Sequence, residues 1–88
     1  MNWQHAQPWV IRFQICDDVP EEKILELAES FFRSTNLILM RCGSSNDFAV
    51  CCPSGIKRRL ALGILRGYSN RHIKQESITF STNDSVDG

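Results

Sequence analysis

Apolar residues in this chain change their spacing from one segment to the next, and that succession restricts the fold more than any other feature. From Trp9 to Cys16, large apolar residues (Trp9, Ile11, Phe13, Ile15) alternate with Val10, Arg12, Gln14 and Cys16, the period of two that a strand with one buried face requires. The spacing then lengthens. Ile24, Leu25, Leu27, Ala28, Phe31 and Phe32 recur at three- and four-residue steps with Glu22, Glu26, Glu29 and Arg33 on the other side, which predicts an amphipathic helix over 21–33. Asp18 and Glu21 stand at the spacing of a capping box, Pro20 is tolerated in a first turn, and Ser34-Thr35-Asn36 closes the helix.

Two short apolar runs follow, Leu37–Cys42 and Phe48–Cys52, separated by the turn-forming residues Gly43-Ser44-Ser45-Asn46-Asp47, and they read as a hairpin. Pro53-Ser54-Gly55 then breaks the strand and offers Ser54 as a cap for a second helix over 56–68. Ile56, Leu60, Ile64 and Gly67 share one face of it, the face expected against the sheet, although Gly63 and Gly67 each lower helix propensity by about 1 kcal/mol. Ile78 and Phe80 alternate with Ser77, Thr79 and Ser81 in a last strand.

The order is therefore β-α-β-β-α-β, the split pattern of a ferredoxin-like α+β sandwich, with a four-stranded antiparallel sheet carrying both helices on one face. Right-handed crossovers are expected to set the first and third strands side by side in the centre, running parallel. Many unrelated activities share this architecture, so function must come from particular residues.

A chain of 88 residues forms a single domain, 1–88, with an ordered core expected over about 9–82 and flexible ends at 1–8 and 83–88. With 42% hydrophobic and 23% charged residues it has the composition of a globular protein, and ten bases against ten acids leave no overall field toward nucleic acid or an anionic membrane. No apolar run approaches the about 20 residues of a spanning helix, and the segment MNWQHAQPW is unlike an export signal. A cytoplasmic location follows as the expectation, with Cys16, Cys42, Cys51 and Cys52 as reduced thiols.

Charge is nevertheless segregated along the chain. Asp17–Glu29 holds six acids and one lysine, net −5, whereas Lys57–Lys74 holds six bases and no acid, net +6. One reading makes Ser54, Gly55, Lys57, Arg58, Arg59, Arg66, Arg71 and Lys74 a surface for phosphates or an acidic partner, with the helix N-terminus supplying N–H donors. The plainer reading pairs the acidic helix with the basic one, each exposed ion pair contributing about 0–1 kcal/mol. Parallel central strands also bring Cys16 near Cys51 and Cys52 beside two helix N-termini, where a low-pKa thiol cluster is conceivable, though small buried residues explain cysteines equally well. Neither the cysteine nor the histidine spacing (His5, His72) matches a metal site, and no cofactor is expected.

The open face of the sheet is expected to show Val10, Arg12, Gln14, Cys16, Ala49 and Cys51. RNA-binding domains of this topology place stacking aromatics there, and this face has none. Small acylphosphatases share the topology too, but their glycine-rich first loop with its arginine has no counterpart in the sequence DDVPEE after Cys16. The acids at 17, 18, 21 and 22 suit a helix start without general acid-base work, so no enzyme is expected. Trp3 and Trp9 are candidates for a partner anchor and a lid on the core. The expected function is a non-enzymatic binding or regulatory module that docks on a protein partner or pairs as a homodimer; the alternative is nucleic-acid binding through the basic segment.

Overall fold

A computed structural model describes residues 9–43 and 45–82, and the expectations for 1–8, including Trp3, and for 83–88 lie outside the described residues. The elements are β1 (Trp9–Ile15), α1 (Glu21–Thr35), β2 (Met40–Arg41), β3 (Asp47–Cys52), α2 (Gly55–Gly67) and β4 (Ile73–Thr82). They form a ferredoxin-like α+β fold with a four-stranded antiparallel sheet in the order β2-β3-β1-β4.

The central pair corrects one expectation, because β1 and β3 run antiparallel, Trp9 opposite Cys52 and Gln14 opposite Asp47. β3 follows β2 through a hairpin and so runs against it; the strand that the first crossover sets parallel to β1 is β2, with β3 inserted between them. The thiol corner goes with that correction. Cys16 lies beyond one end of β1 and Cys52 faces the other, about 23 Å away at the rise of a strand.

Strand alternation holds on both central strands. Ile11, Phe13 and Ile15 are buried with Phe48, Val50 and Cys52, and the opposed rings of Phe13 and Phe48 stack with centroids 6.0 Å apart. Against this layer α1 packs Ile24, Leu27 and Phe31, and α2 packs Ala61 and Leu65.

Three helix ends are set by local chemistry. The expected capping box at Asp18 does not form: Pro20, extended at φ −70°, occupies the N-cap position of α1 and its carbonyl accepts from the N–H groups of Lys23 and Ile24. A capping box would need Asp18 at the N-cap and Glu21 three residues on, and with Pro20 at the N-cap Glu21 is the first helical residue, so the spacing is out of step by two. Ser54 does cap α2, its Oγ accepting from Lys57 N at 3.2 Å. At the end of α1, Asn36 adopts the left-handed conformation, and buried Thr35 closes the turn by donating to Phe31 O at 2.7 Å while accepting from Leu37 N at 3.0 Å.

Three further elements differ from the sequence reading. Only Met40–Arg41 of the segment Leu37–Cys42 joins the sheet. β4 starts at Ile73 instead of near Ser77, because its pairing with β1 shifts between Arg12 and Gln14 and the stretch Gln75–Ile78 fills the gap between Lys74 and Thr79. There Ser77 Oγ accepts from Gln14 N at 2.8 Å, replacing a ladder bond, and the Gln75 amide donates to the terminal carbonyls of α2 at Leu65 and Tyr68, 2.9 Å each.

The third is the rotation of α2. Of the stripe expected inside, Ile56–Leu60–Ile64–Gly67, Ile56 is 79% and Leu60 42% exposed and Gly67 is exposed, Ile64 alone packs partly against the core, and Ala61 and Leu65 are fully buried instead. The inward series is Arg58, Ala61, Leu62, Leu65, whose first member carries a charge and so disguises the face. Arg58 belongs there because its guanidinium lies 4.4 Å from the Trp9 ring and 5.4 Å from Phe80.

Candidate functional site

The basic segment does not converge on one point. Ser54 Oγ is used as the cap, and Gly55 opens the helix. Lys57 Nζ donates to the carbonyl of Thr35 at 2.6 Å, placing its charge at the negative end of α1. Arg58 is held between Trp9 and Phe80, with Nε buried and without a hydrogen-bond partner among the described residues. Arg59 and Arg66 are exposed along α2, and Arg71 is exposed in the following loop. Lys74 stands opposite Gln14, whose neighbours in β1 put it on the other face of the sheet.

Neither do the helices pair by charge. Among the described residues the ion pairs are Lys23–Glu26 at 3.7 Å and Arg33–Glu29 at 3.9 Å within α1, and Arg41–Glu21 at 2.9 Å between β2 and α1. The acids of α1 are all exposed, and Glu21 pairs with β2.

The open sheet face is more polar and better satisfied than expected. Gln14 donates to Asp47 Oδ1 at 2.8 Å, Arg12 Nη1 lies 3.9 Å from Cys42 Sγ, and together with Ser77 they line a shallow cavity of about 370 Å³. Val10 faces Cys51 across the ladder, Ala49 is buried between Arg12 and Met40, and Cys51 is exposed. Cys16 departs from this face: it follows the end of β1, packs at the margin of the core and donates its thiol proton to Asn70 O at 3.1 Å.

Each thiol is thus in a different setting, and no three metal-ligating side chains gather among the described residues. Burial pushes the Cys52 thiol above its ordinary value, neighbouring Cys51 adds to this, and Arg58 opposes it. A raised thiol pKa favours the native state fully below the ordinary thiol range, near about 8.5, and that contribution is lost as pH rises through the native value. Alkylation of the folded protein at neutral pH is expected to modify exposed Cys51 first and Cys52 only after unfolding, which mass spectrometry of time points would resolve.

What the sequence reading did not anticipate is an apolar groove along the outer flank of α1. Leu25, Ala28, Phe32, Ile38 and Leu39 line it, with Glu29 and Arg33 on its rim, around a volume of about 440 Å³. Leu25 is 62% exposed, Phe32 47% and Ile38 66%. The cause is local. The apolar face of α1 is wider than the sheet beneath it, so Ile24, Leu27 and Phe31 turn inward while Leu25 and Phe32, one step round the helix, remain outside. The two-residue β2 leaves Leu37–Leu39 outside the ladder, and Ile38 emerges beside them. Two signals were present: adjacent apolar pairs at 24–25 and 31–32, and the run Leu37-Ile38-Leu39-Met40, which no half-buried strand accommodates.

Among the described residues, no helix is long and apolar enough to cross a membrane. Comparison with protein-family models, curated proteins and solved structures finds no match to this chain.

Proposed function

We propose that this domain is a non-enzymatic docking module that holds a protein partner in the groove along α1. The observation that carries this reading is the contiguous exposure of Leu25, Phe32 and Ile38 around one concavity. Scattered exposed apolar residues need no explanation, but a clustered set beside a cavity is the usual mark of an interaction surface. Fully burying one such side chain contributes about 1.5–3 kcal/mol, so the three anchor a reversible complex whose remaining affinity must come from the surface around them, because association itself costs at least about 4 kcal/mol. An intracellular setting is part of the reading, and the four free thiols suit it.

The test is retention of a stoichiometric partner from the native host by the wild-type chain and by Phe32→Asp. The variant is expected to keep the wild-type circular dichroism, since Phe32 is exposed, and to lose the partner. Equal retention by both would remove the groove from the proposal.

Nucleic-acid binding has narrower support. Arg59, Arg66 and Arg71 are exposed and make no ion pair among the described residues, but Lys57 and Arg58 are occupied within the fold. If phosphates are nevertheless the ligand, affinity for a labelled duplex falls steeply between about 50 and 200 mM salt. An absence of binding at low salt disposes of that reading.

A further inference from the structure

The outward stripe of α2 is exposed among the described residues and is flanked by bases. Ile56 and Leu60 stand on it with Gly63 and Gly67 at steps of four, three and four residues, and a side chain built at either glycine meets no atom within 4 Å. Arg59 and Arg66 flank the stripe, and α2 contains no acid. Its counterpart on α1 is Leu25 and Phe32, flanked by Glu22, Glu26 and Glu29. The ion pairs of Glu26 and Glu29 are long and exposed, and Glu22 makes none among the described residues. One copy of this chain therefore presents an apolar groove rimmed by Glu29 and Arg33, on a helix whose acids Glu22, Glu26 and Glu29 outnumber its bases Lys23 and Arg33, and an apolar ridge flanked by bases alone.

Resting on the docking reading above, we propose that the occupant of the groove is α2 of a second copy, in a two-fold dimer that packs helix layer on helix layer. Both helices lie on the same side of the sheet. A two-fold axis running along them in the plane of contact therefore sets α1 of each copy on α2 of the other, making the same contact twice and closing the assembly. Phe32 and Leu25 have room to enter over Gly63 and Gly67, because a glycine surface lets a neighbouring helix approach closely. Opposed acids and bases fix which helix meets which, since the alternative of α1 on α1 puts glutamates against glutamates.

Sedimentation velocity on the full chain at 10–200 μM is expected to show a dimer at low salt, with the dissociation constant rising several-fold by 0.5 M salt. Two charge-reversed chains probe the pairing. Arg59→Glu with Arg66→Glu makes both helices acidic, Glu26→Lys with Glu29→Lys makes both basic, and each alone is expected to dimerise at least tenfold more weakly. Mixed in equal amounts they restore a heterodimer of wild-type affinity, which also shows that both fold. A wild-type chain monomeric at 200 μM in low salt overturns the proposal, and so does a dimer indifferent to both reversals. A monomer that still retains a partner lost on Phe32→Asp leaves the docking reading standing, whereas equal retention by both chains removes the groove; the two failures are thus distinguishable.

Discussion

Phe31→Ala is expected to leave the chain at the edge of unfolding at 25 °C. Phe31 has no exposed surface and sits among Ile24, Leu27 and the sheet residues of the single core. Truncating a buried phenylalanine costs about 3–5 kcal/mol, the spread reflecting how far the neighbours collapse into the space. Domains of this size have a total stability of about 5–10 kcal/mol, so most of the margin goes. The neighbouring substitution Phe32→Ala is the control. Its side chain is half exposed on the groove, and the expected change lies within about 1 kcal/mol. Urea unfolding followed by circular dichroism measures both, and similar midpoints for the two variants would contradict the orientation of α1 described above.

The second large effect belongs to α2. Leu65→Ala removes a fully buried side chain and is expected to cost about 2–5 kcal/mol, whereas Ile56→Ala, on the outward stripe, changes the stability of the monomer by no more than about 0.5 kcal/mol. The sequence reading predicts the reverse order, because it turns Ile56 and Leu60 inward. Thermal or denaturant unfolding at low protein concentration, where association does not contribute, therefore reads out the rotation of this helix directly.

The failure of the sequence on α2 has a definite cause. A helical stripe is chosen by hydrophobicity at three- and four-residue steps, and this helix has two such stripes. The one that enters the core begins at Arg58, and nothing local announces that a guanidinium will find two aromatic faces, Trp9 and Phe80, to lie against. Trp9 is 49 residues earlier in the chain and Phe80 is 22 later, so the contact exists only once the sheet has brought them together. A similar account covers Lys57: read as part of a phosphate site, it is held by the end of α1, which the fold places within reach.

The candidate site was legible only in part. The apolar pairs of α1 and the run Leu37–Met40 are visible in the chain, but their exposure follows from the brevity of β2, and a strand's length in a sheet is set by what its neighbour offers. The direction of β3 follows from its connections and not from any strand's own pattern, since the crossover sets β2 parallel to β1 and the hairpin turns β3 against both. That single fact decided the thiols, separating Cys16 from Cys51 and Cys52.

What the amino-acid order determined by itself is the kind and succession of elements and the inward sides of β1 and β3, since periods of two and of 3.6 residues are properties of neighbouring residues. Tertiary structure alone decided the rotation of α2, the internal use of Lys57 and Arg58, and the groove on α1. Each of these depends on which of two locally equivalent surfaces meets a complementary one across the fold, and complementarity belongs to a pair of segments and not to either alone.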